Sequence, residues 1–401
     1  MESIREIYKI GHGPSSSHTM GPRKAAGRFR LNHPDAASYR VTLYGSLAAT
    51  GKGHLTDTAI LDELGEDRCT IVWESKTFLP IHPNGMKFEA LDHNENPTAE
   101  WVAYSIGGGT IIDDATVRET KEVYPHQTMT EILEYCHLNG MKLWQYVEQM
   151  EGPEIWDFLD EIWEVMQDSI RRGLKDDGIL PGGLRLERKS HNFKQQADNY
   201  SGPFTKRINI FAFALAVSEE NAAGGKIVTA PTCGSSGVVP AVLYYFRKVY
   251  KKDKDAILKA LATAGLIGNL VKTNASISGA EVGCQGEIGT ACAMASGAAT
   301  QMMGGTNYHI EYSAEMGLEH HLGLTCDPVA GLVQIPCIER NAFAAQRALA
   351  HNTFAMMGDG RHRISFDEVV KTMYETGVNL QSKYRETSEG GLALHDAMPR
   401  C

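Results

Sequence analysis

The sequence predicts a small α+β domain with a mixed sheet and helices, followed by a larger, mostly α-helical domain. Strand signals separated by Gly, Pro and Asn run through residues 1–125. From residue 128 onward the apolar residues follow helical spacing. A chain of 401 residues with 42% hydrophobic and 22% charged residues has the composition of a globular protein with more than one domain. We place the boundary at Gly152-Pro153, which divides the chain into 1–150 and 151–401.

Four strands and two helices are predicted in the N-terminal domain. Pro22 stands near the start of the first helix, where its missing backbone donor costs little. The strands are YRVTLYGSL (39–47), RCTIVWES (68–75), MKFEALDHN (86–94) and TAEWVAYSIGG (98–108), and the helices cover 20–31 and 56–66.

The C-terminal domain is predicted to contain almost no strand. Its last helix begins at a capping box formed by Ser365 and Glu368. Ala- and Gly-rich helices between 256 and 305 permit close backbone approach, as in a tightly packed core. The other predicted helices cover 130–138, 155–174, 208–223, 238–250, 256–272, 286–305 and 338–351.

Charge and composition restrict the partners and the compartment. A formal net charge of -10 argues against nucleic acid and anionic membranes, which need clustered Lys and Arg. The N-terminus lacks the apolar core of a signal peptide, and no run of about 18 apolar residues occurs. We expect a cytoplasmic protein with no membrane or nucleic-acid partner. In that reducing compartment the 8 cysteines are core residues, catalytic thiols or metal ligands rather than disulfides.

Four cysteines lie between residues 281 and 341. Cys284, Cys326 and Cys337 stand in loop sequence marked by Gly or Pro, whereas Cys292 lies in a helical run. No C-x-x-C pair occurs, which disfavours a zinc ribbon, while iron–sulfur clusters tolerate scattered thiolate ligands. Three ligands would leave one iron open for catalysis. Inert core cysteines are the alternative, and spacing alone leaves it open.

Two loops in the N-terminal domain carry histidine beside hydroxyl groups or glycine. GHGPSSSHTMGP (11–22) presents three serines, His18 and Thr19 at a helix start, a combination that suits a small carboxylate. The alternative is a helix entry capped by Ser17 or Thr19. In TGKGHLTD (50–57), His54 follows a Gly-rich turn and is either an acid–base group or a surface histidine.

Further loops place hydroxyls, amides and glycines just before helices. One contains Cys233 in TAPTCGSSG, but no histidine partner for it is evident, so covalent catalysis is unsupported. Another is NASISGAEVGCQGE, which begins at Asn274. Near the C-terminus, KYRETSEGGLA carries Arg385 and Thr387, for which a solvated tail is the simpler interpretation.

Together these strings closely resemble the bacterial iron–sulfur-dependent L-serine dehydratases, also called L-serine ammonia-lyases, in their single-chain form. The matching stretches span nearly the whole chain in one order, which makes the match highly specific. They are GPSSSHTMGP, GSLAATGKGH, HPNGM, YSIGGG, NASISGAEVGCQGEIG, GLTCDPVAGLVQIPCIERNA, YETG and KYRETSEGGLA.

The resemblance implies a function and a set of site residues. It implies dehydration of L-serine to pyruvate and ammonium, with an open iron of a 4Fe–4S cluster acting on the β-hydroxyl, in a homodimer. His54 is the first choice for the base that takes the α-proton, and His18 is the second. The implied cluster ligands are Cys284, Cys326 and Cys337, and the implied substrate-binding residues are Ser15, Ser16, Ser17, Thr19 and Asn274.

The last residue, Cys401, has a particular interpretation. It bears a carboxylate and a β-thiol just as serine bears a carboxylate and a β-hydroxyl. We expect it to enter the site as an autoinhibitory fourth ligand that the substrate displaces, and the resemblance points the same way. A frayed terminus is the alternative.

Other functions compatible with the residues are a cluster-dependent L-cysteine desulfidase, a serine/threonine dehydratase of broader range, an electron-transfer protein and a zinc protein. An electron-transfer protein would have four permanent protein ligands and little need for a pocket rich in His and Ser.

Overall fold

The computed structural model describes residues 1–113 and 122–395. Within them a five-stranded mixed sheet forms the N-terminal domain, with strand order β3-β2-β4-β5-β6. Strands β2 and β3 are parallel, and the other neighbours are antiparallel. The predicted small mixed sheet is therefore confirmed. The strands are β2 (Ser38–Tyr44), β3 (Cys69–Glu74), β4 (Gly85–Leu91), β5 (Pro97–Ser105) and β6 (Ile111–Asp113).

Helices cover one face of this sheet and close a small core. In α1 (Gly21–Asn32), the buried residues Ala25, Ala26 and Phe29 lie on one stripe, as the helical period requires. The Phe29 ring packs on Phe88 of β4 with ring centroids 5.4 Å apart. The connection from β2 to the parallel strand β3 carries α2 (Gly45–Thr50) and α3 (Thr56–Leu64). It is this crossover that places the 45–56 segment beside the start of α1.

The second part of the described chain is almost wholly helical, as predicted. Small residues let its central helices approach closely: a Cβ on Gly317 would lie 2.7 Å from the Ala293 backbone. The helices are α4 (Met129–Leu138), α5 (Leu143–Glu151), α6 (Ile155–Gly173), α7 (Ser190–Asn199), α8 (Pro203–Ala222), α9 (Val238–Val249), α10 (Lys254–Asn274), α11 (Gly279–Val282), α12 (Thr290–Met302), α13 (Asn307–Glu319), α14 (Cys337–Met356) and α15 (Phe366–Asn379).

The N-terminal segment belongs to the helical core rather than to the sheet. Ile4, Ile7 and Tyr8 are buried there, and the Tyr8 hydroxyl donates to the Leu261 carbonyl at 2.9 Å. Strand β1 (Ile10–His12) then pairs antiparallel with β7 (Lys226–Val228). Neither β1 nor β7 was predicted, because three residues are too few to show an alternating pattern.

Helices α4 and α5 pack into the same core, although nearly all of their residues lie in the predicted 1–150 domain. The division of the chain into 1–150 and 151–401 stays a prediction.

Helix α10 has the length and apolar composition that could span a membrane. However, 72% of the 18-residue apolar stretch of this helix is buried inside the protein, as expected for a core helix.

Candidate active site

Three cysteines converge where the helical domain meets the sheet domain. Cys284 precedes a π-helical turn, Cys326 lies in the loop between α13 and α14, and Cys337 begins α14. The hydrogen bond from Cys326 lowers the pKa of Cys284 to about 6, and the Arg340 guanidinium, which also contacts Cys284, favours its thiolate. The pKa of Cys326 is correspondingly raised well above its usual value. Burial, followed by the charge of Cys284, raises the pKa of Cys337 well above its usual value, and Arg340 interacts with all three thiols. The three cysteines predicted to be metal ligands therefore lie in one neighbourhood.

The loop around Cys326 is shaped by backbone contacts and by a glycine. The Cys326 amide donates to the Tyr384 carbonyl at 2.8 Å, and the Glu386 amide donates to the Cys326 carbonyl at 2.7 Å. A Cβ on Gly279 would lie 3.1 Å from the Cys326 sulfur, so only glycine leaves that side of the thiol open. The KYRETS segment is therefore part of the site and not a solvated tail.

His18 and His54 form a buried pair, with ring centroids 4.6 Å apart. Their loops are joined reciprocally: the Thr19 hydroxyl donates to the His54 carbonyl and the Thr56 hydroxyl to the His18 carbonyl, both at 2.6 Å. Each loop therefore holds the other in place, which positions the two rings. The alternative of a surface loop histidine is wrong for His54, whose exposed fraction is 1%.

The two rings differ in their hydrogen bonding. Both nitrogens of His18 have partners, Ser17 Oγ at 2.9 Å and Ser46 Oγ at 3.1 Å. Because the Ser46 hydroxyl donates to the Glu386 carbonyl, it accepts from His18, and the His18 proton sits on Nε2. No side chain among the described residues hydrogen-bonds Nδ1 of His54, and the Thr50 backbone is the neighbour that raises the pKa of this ring against the effect of burial.

Glu386 completes this group, and the sequence reasoning missed it. Its Oε1 lies 3.6 Å from His18 Nδ1 and 3.9 Å from His54 Nε2. Burial, followed by the charges of Glu287 and Cys284, raises the pKa of its carboxyl well above the usual value. It stands between Arg385 and Thr387, the two residues singled out in that segment, and its left-handed backbone (φ 58°) turns the chain there.

Burial disfavours charge on both histidines. It lowers the pKa of His54 to about 4 and that of His18 well below its usual value, where the neighbouring His54 adds to the effect. At neutral pH both imidazoles are therefore neutral and able to accept a proton.

Most hydroxyls of the serine-rich loop make hydrogen bonds to other groups of the same loop. Ser15 Oγ accepts from the His18 amide at 3.1 Å and contacts Ser17 Oγ at 3.3 Å. Thr19 Oγ1 accepts from the Ser15 amide while it donates to His54. The alternative of a helix entry capped by Ser17 or Thr19 is wrong in its residues, because Ser15 caps the π-helical turn of residues 16–20 and α1 then begins without a side-chain cap. Ser16 is buried in the same turn. A substrate-binding role for the loop stays a prediction.

The remaining candidates lie apart from the histidine pair or outside the described residues. Asn274 is exposed at the end of α10, and its amide donates to the carbonyls of Gln127 and Leu270. Cys292 is buried in α12, as predicted, and burial raises its pKa to about 12. Cys233 is also buried, and burial raises the pKa of its thiol. The predicted role of Cys401 concerns a residue outside the described part of the chain.

Two ligand sets could hold a metal or a metal cluster. One is the three convergent cysteines. The other is His18, His54 and Glu386, whose ligand atoms lie within 4.8 Å of one another. Glu287 stands beside the first set with Oε2 3.8 Å from the Cys326 sulfur, and burial raises its pKa to about 8.

The fold and the site define a class of protein in which an α+β domain and a helical domain enclose a buried acid–base group beside convergent thiols. Two family models together match nearly the whole chain. The model of the serine dehydratase alpha chain matches residues 110–393, and the model of the beta chain matches residues 3–69 and 63–116. The chain belongs to the serine dehydratase family.

Whole-length relatives support the same assignment. The chain is 42% identical to an L-serine dehydratase of Streptomyces coelicolor, with 98% of each chain covered. It is 40% identical to an L-serine dehydratase of Haemophilus influenzae and 42% identical to L-serine dehydratase TdcG of Escherichia coli, with 98% of this chain and 99% of each relative covered. The alignments are longer than this 401-residue chain, so these relatives contain residues without a counterpart here.

The neutral state of His54 predicts that stability falls with acidity. Its pKa is about 4 in the folded protein and about 6.5 in an unfolded chain, so the unfolded state takes up the proton first. This contribution is complete above about pH 6.5 and is lost as the pH falls toward 4; by pH 5 about 2 kcal/mol of it has been lost. Thermal unfolding midpoints measured from pH 7 to pH 5 should fall less steeply in His54→Gln than in wild type.

The matched control is His137→Gln, which changes an exposed histidine and should keep the wild-type slope. Identical slopes for His54→Gln and wild type would contradict the buried, neutral assignment.

Proposed function

We propose that this chain is an L-serine dehydratase that converts L-serine to pyruvate and ammonium with a 4Fe–4S cluster held by Cys284, Cys326 and Cys337. The observation that carries the proposal is the convergence of three buried or partly buried thiols beside a neutral histidine pair. The names of the whole-length relatives support the substrate. A homodimer in the cytoplasm is part of the same proposal.

The residues present fit an iron–sulfur cluster. Thiolates are its usual ligands, and Gly279 keeps space beside Cys326. The pKa of Cys284 is lowered, whereas that of Cys326 is raised by its hydrogen bond with Cys284 and that of Cys337 by burial. When bound with only three protein ligands, the cluster would supply a Lewis-acidic iron to polarise the β-hydroxyl of the substrate. Arg340 lies next to Cys284 and offsets part of the negative charge of the thiolates.

The chain's own residues supply the proton chemistry. His54 is the favoured base because no side chain hydrogen-bonds its Nδ1, whereas both nitrogens of His18 bond to serine hydroxyls. His18 remains the second choice and, through Ser17 and Ser46, it orients the pair. Glu386 approaches both rings and can hold a proton on its carboxyl, since burial disfavours its charged form. His54 can therefore take the α-proton while the protonated Glu386 carboxyl gives its own proton to the departing hydroxyl, which leaves as water. Transfer of the proton from His54 to Glu386 then restores both groups.

The loop of residues 15–19 is proposed to face the substrate, as the sequence predicts. Its buried hydroxyls suit a small polar ligand. Asn274 belongs to the same prediction, although its amide is engaged with backbone carbonyls.

Among the alternatives, the neighbouring acid–base group disfavours an electron-transfer protein, which has no need of a buried base. A cysteine desulfidase and a broader serine/threonine dehydratase would use the same groups. Pyruvate or 2-oxobutanoate formation from L-serine, L-cysteine and L-threonine under anaerobic conditions separates them.

Removal of any one cluster ligand should abolish the metal centre. We expect Cys284→Ser, Cys326→Ser and Cys337→Ser, each purified anaerobically, to lose iron, acid-labile sulfide and pyruvate formation together. Cys69→Ser is the matched control, because Cys69 is a partly buried thiol in β3 of the sheet domain. Wild-type protein that forms pyruvate from L-serine but contains no iron would overturn the cluster assignment.

Loss of the base should slow turnover without affecting the metal centre. We expect His54→Gln to lower kcat for pyruvate formation by about 10²–10⁴-fold, the range for a missing general base, with iron content unchanged. His93→Gln, which alters an exposed histidine of the same domain, should leave kcat as in wild type. A large loss in His18→Gln with little loss in His54→Gln would transfer the role to His18.

The terminal cysteine is proposed to inhibit the enzyme by occupying the place of the substrate hydroxyl. Deletion of Cys401 should then abolish the slow, substrate-dependent activation expected in wild-type progress curves. Cys69→Ser serves again as the control that keeps the terminus intact. If wild type and the deletion variant are activated by substrate identically, the inhibitory role is wrong.

A further inference from the structure

A further group of potential metal ligands lies between α13 and α14 of the helical domain. It lines a cavity of about 510 Å³ that shares no lining residue with the candidate active site. The group consists of Glu315 and Glu319 of α13, the histidine that follows them, His320, and His351 of α14. The cavity therefore brings two imidazoles and two carboxyls to one space.

The two histidines present ring nitrogens to each other. Nδ1 of His320 lies 3.2 Å from Nε2 of His351, and the ring centroids are 5.3 Å apart. Between two such nitrogens there must be a proton or a cation, because two facing lone pairs repel each other. A tetrahedral metal ion with bonds of about 2.0–2.1 Å holds two imidazole nitrogens about 3.3 Å apart. The separation of the two rings therefore suits an ion bound by both.

The outer nitrogen of each ring lies near an oxygen that can accept its proton. Nε2 of His320 is 3.4 Å from a carboxylate oxygen of Glu319, and Nδ1 of His351 is 3.2 Å from the Ser296 hydroxyl oxygen. Histidines that bind metals usually donate their second ring N–H to a nearby oxygen, which fixes the tautomer and the orientation of the ring. These contacts can direct both inner lone pairs to one point.

Glu315 adds a carboxyl that has no partner of its own. The residue is 3% exposed, and within the described part of the chain no hydrogen bond or ion pair reaches its carboxyl. Burial, followed by the charges of Glu319 and Glu311, raises the pKa of Glu315 to about 8. Buried carboxylates in proteins are paired or coordinate metals. An unpartnered one that lines the same cavity as two histidines therefore calls for a cation.

The other ionisable groups around the cavity leave the histidine pair available. His362 is engaged elsewhere, because its ring stacks on Tyr312 and its Nε2 contacts the Glu311 carboxylate. Arg363 is the arginine among the lining residues, and the two acids oppose its charge.

The His351 ring is neutral at physiological pH. Burial, followed by the charges of His320, His321 and Arg347, lowers the pKa of His351 to about 3. A neutral imidazole is the form that binds a metal ion, so no proton has to be displaced from a charged ring.

We propose that His320 Nδ1, His351 Nε2 and the Glu315 carboxyl bind a divalent transition-metal ion such as Zn²⁺, with Glu319 and Ser296 as outer partners of the two rings. Two imidazoles and one carboxylate are an established ligand set for zinc, and a water molecule can take the fourth position. This site is separate from the three cysteines proposed to hold the cluster, and it does not depend on the proposed function.

An ion at this site ties α13 to α14. The two helices flank the loop that carries Cys326, and α14 begins at Cys337. Binding therefore stabilises the pair of helices that positions two of the proposed cluster ligands. Because the ion binds only the folded chain in this geometry, added Zn²⁺ should raise the thermal unfolding midpoint of the protein.

The test measures zinc binding by the full chain, purified anaerobically with its iron retained. The protein is dialysed against Zn²⁺, and zinc and iron are determined in the same samples. Wild type should retain about one zinc ion per chain with unchanged iron, and X-ray absorption at the zinc edge should show nitrogen and oxygen ligands at about 2.0–2.1 Å. Zinc that has entered the cysteine set would instead show sulfur at about 2.3 Å.

Loss of a ligand should remove this zinc without removing iron. His320→Gln, His351→Gln and Glu315→Gln should each lose the zinc bound by nitrogen and oxygen, together with the rise in unfolding midpoint. Glu319→Gln should weaken zinc binding by about 10–100-fold, the usual effect of losing an outer partner. The side chain of His320 is 53% exposed, so His320→Gln remains informative if His351→Gln does not fold.

His321→Gln is the matched control. His321 is the next residue in the chain and is buried, but it does not line the cavity. Its Nδ1 contacts the Gly317 carbonyl at 2.8 Å and its Nε2 contacts Arg347 at 3.3 Å, so both ring nitrogens are engaged. This variant should bind zinc as wild type does.

Three results would overturn the proposal: no zinc retained by wild type, zinc bound through sulfur alone, or equal zinc binding in wild type, His320→Gln and His351→Gln. None of them depends on pyruvate formation, so failure of this site and failure of the proposed function are distinguishable.

Discussion

Two backbone hydrogen bonds between the Cys326 loop and the segment from Tyr384 to Glu386 connect the thiols to the acid–base group. They hold the backbones of Cys326 and Glu386 side by side. The same pairing therefore positions the Cys326 thiol and brings the Glu386 carboxyl near His18 and His54. This pairing therefore fixes the position of the thiols of the helical domain relative to the histidines of the sheet domain. The site is thus assembled from three distant parts of the chain.

Exclusion of water is the second property on which the chemistry depends. His18, His54 and Glu386 are all nearly inaccessible to solvent, and burial favours the uncharged form of each. At neutral pH the imidazoles are unprotonated, as a base must be, and a neutral carboxyl nearby holds its proton without repelling a thiolate centre. Burial also makes the unpartnered carboxyl of Glu315 informative, because unsatisfied polar groups are costly away from water.

Much of the architecture could be predicted from local pattern. The mixed sheet, the long helices and the capping box at Ser365 follow from alternation, helical period and capping chemistry, which act over a few residues. Strand β7 could not be predicted, because its three residues pair with β1 more than two hundred positions away. For the same reason Glu386 was missed: nothing local distinguishes it from a surface glutamate beside Arg385.

Residue types and their order therefore determined which groups are available, namely three loop cysteines, two histidines in Gly-rich loops and a run of serines. Only the tertiary structure decided which of them meet. It placed Glu386 with the histidines, directed most hydroxyls of the 15–19 loop toward the loop itself, and brought His320 and His351 together at the cavity that Glu315 lines. The physical reason is that hydrogen-bond satisfaction and burial are properties of the packed protein, and neighbours distant in sequence supply them.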